Sequence, residues 1–236
     1  MAGDFFSFQR VIEYFPKILS RLHVTFSIVA VSISIALVLG TVIAVVRLKR
    51  IPVFCQLFTV YVSFVRGTPI LVQLFLIYYG IPLLLVQMTG SNVTSGWDKL
   101  IFVYIAYALN EAGFLSEHIR AAVLSVPSGQ AEAGYSVGLS QRQTFFRIVF
   151  PQAFRVLLPG FGAALVGLLP ATSLAYMLGV TDMMGKVRAI GAVTFHTLEG
   201  YFCAALIFVI VSFALEQVFA CLIRKSDYER KAGGKI

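Results

Sequence analysis

Residues 24–46 read VTFSIVAVSISIALVLGTVIAVV, 23 positions without a charge. About 20 consecutive apolar helical residues cross the ~30 Å hydrocarbon core of a bilayer, so this run reads as a transmembrane helix. It stops at Arg47, Lys49 and Arg50, followed by Pro52, which closes the span in a basic cluster. The rest of the chain agrees with it. Of 236 residues, 58% are hydrophobic and 13% charged, and the mean hydropathy is +0.86. Soluble domains carry roughly 25% charged residues, so the composition excludes disorder and argues against a soluble enzyme. Cys55, Cys203 and Cys221 lie among apolar residues without paired spacing and read as small hydrophobes.

Four further spans follow. Val53 to Val86 is interrupted by Arg66-Gly67-Thr68-Pro69 and would be about 50 Å long as one straight helix. Pro69 is expected to kink it and Pro82 to end it, leaving one long bent span from about Phe54 to Tyr79. A hairpin of two short spans is compatible with the composition. Leu100–Leu124 is a third span with Asn110 and Glu111 near its middle, and Phe154–Val180 a fourth, interrupted by Pro159 and Pro170. A polar linker over 181–200 leads to the last span, Tyr201–Ile223.

Five spans place the termini on opposite sides, and the basic residues test this. Twelve Lys and Arg fall on the side that holds Arg47, Arg142 and Arg224, and six on the side that holds Arg10, Lys99 and Lys186. The richer side is expected to be cytoplasmic, with the N-terminus outside and the C-terminus inside. The net charge of +8 thus becomes a topology signal and not a sign of nucleic acid. Residues 1–23 read as an amphipathic interfacial segment, with Phe8, Val11, Ile12, Phe15, Ile18 and Leu19 at helical spacing. Residues 24–223 form the transmembrane domain, and 224–236 a basic cytoplasmic tail.

The cytoplasmic loop at about 125–151 is too long and too patterned for a passive connector. Gly138 ends one short helix, and Ser140 is placed to cap a second that begins near Gln141. Such helices are expected to turn Phe145 and Phe146 to the core and Glu132, Arg142 and Gln143 outward.

Within this loop stand Glu132-Ala133-Gly134, three residues, Gly138, nine residues, Ile148, one residue, and Phe150-Pro151. This resembles the EAA loop of type I ABC importer permeases, departing mildly in Gly134 for Ala and Phe150 for Leu. Ser125-Val126-Pro127-x-Gly129-Gln130, Phe64-Val65-Arg66-Gly67-Thr68-Pro69, Gln73 and Tyr78-Tyr79-Gly80-Ile81-Pro82 resemble the polar amino-acid subgroup. Tyr135-Ser136-Val137-Gly138 and Thr172-Ser173-Leu174-Ala175-Tyr176-Met177 are similar to permeases for cystine and related sulfur amino acids. The resemblance covers roughly residues 15–224.

It implies an all-α polytopic permease subunit in the bacterial cytoplasmic membrane. Its partners would be an ABC ATPase dimer, a second permease copy (identical or related) and an extracytoplasmic solute-binding protein. ATP and Mg would act on the ATPase, with no cofactor on this chain. Glu132, Ala133, Gly134, Gly138 and Arg142 are the coupling positions it implies. The chain is not expected to be an enzyme: Gly179 to Lys186 echoes a phosphate loop, with wrong spacing and no following Ser or Thr. No metal spacing is present, and His23, His118 and His196 stand isolated.

Ionisable groups inside spans are functional suspects by default. Arg66, where the helix breaks, either binds a carboxylate or satisfies loosened carbonyls. Glu111, beside Asn110, either meets a substrate ammonium or pairs with His118. Glu216 lies near the inner end and reads as structural. The resemblance also implies Lys-Asp or Lys-Glu before Thr172-Ser173, where this chain has Pro170-Ala171. Two readings stay open: Thr172, Ser173 and Tyr176 bind a zwitterion with Glu111, or this subunit is the non-binding half of a heterodimer. An ion-coupled secondary transporter, needing no ATPase, is the alternative class.

Overall fold

The computed structural model describes residues 6–233, with side chains described as far as residue 225. Among these the secondary structure is entirely helical. Four stretches are long and apolar enough to cross a membrane: Leu22–Leu48, Ile70–Thr89, Gln141–Leu178 and Leu198–Lys225. A fifth long helix, α5 (Lys99–Leu124), has 26 residues.

Helix α2 (Leu22–Leu48) packs along α5, and small residues make this possible. Ser32, Ala36, Gly40 and Ala44 recur every fourth residue on α2, as do Ala108, Ala112 and Ser116 on α5, and all are buried. A Cβ at Gly40 would lie 3.1 Å from the Ala112 carbonyl oxygen, so the two backbones all but touch. Lipid tails are as apolar as side chains, so helices in a bilayer associate through close packing of this kind.

Contacts along α5 give each helix its direction. On α2, Ser27 meets Tyr104, Gly40 meets Ala112 and Arg47 meets Glu117, so α2 and α5 run parallel. The segments α3 (Phe54–Gly67) and α4 (Ile70–Thr89) pass α5 in the opposite sense: Gly113 faces Val65, Asn110 meets Gln73 and Phe102 meets Tyr78. They succeed one another along the same helix, which is a broken rod and not a hairpin. The break is two extended residues, Thr68 and Pro69 (ψ 143° and 139°), because proline forces its predecessor out of the helical region. Helix α8 (Phe150–Ala171) is also antiparallel to α5, with Tyr107 at Ala171 and His118 at Gly160.

Three expectations are corrected. Pro82 does not end its helix: α4 runs on to Thr89 and stops where Gly90 takes φ 69°, since a helix can carry proline where only one backbone bond is lost. The 181–200 linker contains a 12-residue helix, α9 (Met183–Thr194), started by the Asp182 carboxylate accepting from Gly185 N–H at 2.8 Å. Beyond Ala171 the chain tightens into a 3-10 helix, Thr172–Leu178.

Helix α1 (Phe8–Leu19) buries Val11, Tyr14 and Ile18 against α9 and α10 (Leu198–Gly233), leaving Phe8, Ile12 and Leu19 exposed. Buried Glu199 holds it, accepting from Ser7 N–H at 3.2 Å and from Arg10 at 3.3 Å. The molecule therefore has two ends. One gathers α1, α9 and the 90–98 turn; the other gathers Arg47, Lys49, Arg50, Arg120 and the 125–149 loop. Arg230, Lys231 and Lys235 of the basic tail lie outside the residues with described side chains.

Candidate coupling loop and translocation pathway

The loop is built as two short helices locked by backbone and caps. Helix α6 (Ser128–Ser136) ends in a Schellman turn: Gly138 N–H donates to Tyr135 O, Leu139 N–H donates to Gly134 O, and Gly138 takes φ 81°. That left-handed conformation is why the position is glycine. Ser140 then opens α7 (Gln141–Thr144) with a reciprocal capping box, its Oγ accepting from Gln143 N–H and its N–H donating to Gln143 Oε1. Gly134 presses against α7, and a Cβ there would fall 2.8 Å from Thr144 Cγ2 and 2.9 Å from Ile148 Cδ1. Glu132, Ala133 and Arg142 are all exposed on this scaffold.

Phe145 and Phe146 do not face the core. Both are exposed, edge-on to each other and tilted against Phe150, which in turn meets Phe154, in an aromatic row. A five-residue π-helical turn, Phe145–Val149, precedes α8 and shifts the register that a regular helix would have kept. Thr144 takes the buried place instead.

Of the candidate pathway residues, the fold joins Gln73 to Asn110. Asn110 Nδ2 donates to Gln73 Oε1 at 3.0 Å, and Gln73 Nε2 donates to Val65 O at 2.9 Å and Thr68 O at 3.1 Å. Gln73, and not Arg66, satisfies the carbonyls of the helix break. Arg66 is exposed, its guanidinium 5.9 Å from the centre of the Phe114 ring. Glu111 is half-buried at mid-helix, with no ion pair or hydrogen bond to its carboxylate among the described residues; His118 packs against Gly160 instead. Thr172 is buried and donates its hydroxyl to Leu169 O in the last turn of α8. Ser173 and Tyr176 are half-buried, and the Arg188 guanidinium lies 5.8 Å from the centre of the Tyr176 ring, beside a cleft of about 360 Å³.

Residues 18–227 match the family described as the binding-protein-dependent transport system inner membrane component. The chain belongs to that family. It is accordingly a multi-pass membrane protein and an ABC permease, as its motifs led one to expect. It is 40% identical to the L-cystine transport system permease protein TcyL of Bacillus subtilis, over 91% of this chain and 89% of that one. It is 35% identical to a probable amino-acid ABC transporter permease protein, PatM, of Vibrio harveyi, over 91% and 95%. Among solved structures, an amino acid ABC transporter with histidines superposes with TM-score 0.82 at 26% identity, covering 95% of this chain and all of that one. The MetNI methionine ABC transporter shares the fold, with TM-score 0.64 at 17% identity over 94% and 99%. The ion-coupled secondary-transporter reading finds no support in these matches.

Two residues of this permease escaped sequence reasoning. Tyr107, fully buried, donates its hydroxyl to Ala171 O, where α8 gives way to the 3-10 turn. A tyrosine amid apolar residues was the signal, since its hydroxyl needs a partner. Glu117 joins Arg47 of α2 to Arg120 of its own helix.

Asp182 is fully buried and its Oδ2 has no partner, so burial pushes the carboxyl up to about 6 from an ordinary 3.8. The folded state therefore holds this proton more tightly than the unfolded chain does. Stability is greatest below the ordinary value and falls as pH rises towards the folded one, by on the order of 3 kcal/mol. Thermal denaturation between pH 4 and pH 7 is expected to show this fall in the wild type and a flatter profile in Asp182→Asn. An identical slope in the variant would assign it to other groups.

Proposed function

We propose that this chain is the membrane-spanning subunit of an ATP-driven importer of polar amino acids, with cystine or a related sulfur amino acid as substrate. The observation that carries the reading is the 40% identity to a cystine permease along nine-tenths of the chain. It sits in the bacterial cytoplasmic membrane and crosses it five times, by α2, the α3–α4 rod, α5, α8 and α10. The N-terminus is outside and the C-terminus inside, supported by the gathering of Arg47, Arg50, Arg120 and the loop at one end. Two permease subunits pair, each docked on a cytoplasmic ATPase, and a solute-binding protein delivers substrate from outside.

Glu132, Ala133, Gly134, Gly138 and Arg142 form the element that the ATPase grips. The Schellman turn and capping box make it rigid enough to transmit closure of the ATPase dimer to α5 and α8, whose ends it joins. In the membrane, Glu111 is the free carboxylate that meets a substrate ammonium. Asn110 and Gln73 hold α5 and the broken rod around it, and Arg66, Thr172, Ser173 and Tyr176 flank the route.

The test is reconstitution in proteoliposomes with the ATPase, ATP and Mg inside and the binding protein outside. Cystine uptake is expected to require internal ATP, and loaded binding protein is expected to raise hydrolysis. Uptake by the chain alone, abolished by a protonophore, would overturn the reading.

A further inference from the structure

Next to the end of α2, at the same end of the molecule as the coupling loop but lined by none of its residues, lies a polar cleft of about 480 Å³. Arg47, Arg50, Arg120, Gln56 and Thr59 line it. Three guanidinium groups line it, and among the described residues Glu117 is the one carboxylate bonded to them, which leaves an excess of two positive charges there. Glu117 also fixes their geometry. Its Oε1 accepts from Arg47 Nη1, and its Oε2 accepts from Arg120 Nε at 3.1 Å and Nη2 at 2.9 Å. Arg47 Nη2 and Arg120 Nη1 are left without a partner among the described residues. Planar forks held in this way suit a tetrahedral oxyanion.

The turn that forms the cleft wall is strained. Arg50 has φ 50° and Val53 has φ 65°, and a β-branched residue rarely adopts that region. The strain places the Arg50 side chain at the cleft. Leading away from it, Val53, Leu57, Val60 and Phe64 stand exposed at successive turns of α3. A basic cleft continuous with an apolar helical stripe offers one surface to a phosphate and another to acyl chains.

We propose that this cleft binds the headgroup of an anionic phospholipid, with the α3 stripe contacting its tails. The shared chemistry is a phosphate oxyanion; the apolar stripe favours a lipid over a free anion. Each basic residue contributes about fivefold to such binding.

The transporter complex, purified in detergent and stripped of lipid, is titrated with phosphatidylglycerol or phosphatidylcholine, and bound lipid is counted by native mass spectrometry. Phosphatidylglycerol is expected to bind in preference. R50N is expected to weaken it about fivefold, and asparagine tolerates the positive φ, so the turn survives. K49N, an exposed charge on the same end but outside the cleft, should leave binding unchanged. Equal binding of phosphatidylcholine, or equal weakening by K49N and R50N, would overturn the proposal. Displacement of phosphatidylglycerol by comparable inorganic phosphate would make the cleft a free-anion site and overturn it as well.

Discussion

Glu132→Lys is expected to reduce ATP-driven import by about thirtyfold or more in the reconstituted transporter, while the subunit folds and inserts as before. The carboxylate is exposed on α6, and among the described residues it takes part in no ion pair or hydrogen bond. Reversing its charge therefore removes nothing from this chain's own structure. On the proposed coupling role it acts at the surface offered to the ATPase, where an exposed carboxylate suits a basic partner group and a lysine in its place costs several kcal/mol. Co-purification of the ATPase and stimulation of hydrolysis by the loaded binding protein are expected to fall with import. The melting temperature of the isolated subunit is expected to stay put. Undiminished import and hydrolysis would remove Glu132 from the coupling element, and a lowered melting temperature would make its role a folding one.

Gln73→Leu is expected to destabilise the subunit by about 3 kcal/mol or more, the largest effect of a single side chain in the pathway region. Val65 O would receive its helical bond from the N–H of residue 69, but residue 69 is proline and has none. Gln73 Nε2 reaches back across the break to donate in its place. Leucine leaves Val65 O and Asn110 Nδ2, both on buried residues, without these partners. Thermal denaturation in detergent measures the loss. Pro69→Ala in the Gln73→Leu background restores an N–H and is expected to recover part of it. If Gln73 serves the substrate instead, the variant would melt normally and raise the KM for uptake.

The resemblance pointed to Glu132 in the sequence, whereas the duty of Gln73 appears only in the fold. The turn at Gly138 and the cap at Ser140 were legible because the loop around them follows the signals of soluble helices: a glycine stop, then a serine cap. Those signals do not extend to Phe145 and Phe146, which a π-helical turn displaces outward. Pro82 looked like a stop, yet a proline costs a helix one bond, and the neighbours decide whether that loss ends it. Arg66 drew attention by its charge, whereas the neutral Gln73, four residues beyond Pro69, does the bonding.

The residue string alone was enough to establish a membrane protein, its long apolar spans, the sorting of its basic residues and the helix–turn–helix of the 125–151 loop. These depend on composition, local spacing and capping, all of which act within a few residues. Only the tertiary structure decided which apolar faces meet. Every face of a transmembrane helix is apolar, whether it looks to lipid or to protein, so hydropathy cannot tell them apart. The run at 24–46 carries Ser32, Ala36, Gly40 and Ala44 as one ridge, and their meaning appears when Ala108, Ala112 and Ser116 lie against them. Gly134, a departure from the family's alanine by motif, is required here because Thr144 and Ile148 leave no room for a Cβ.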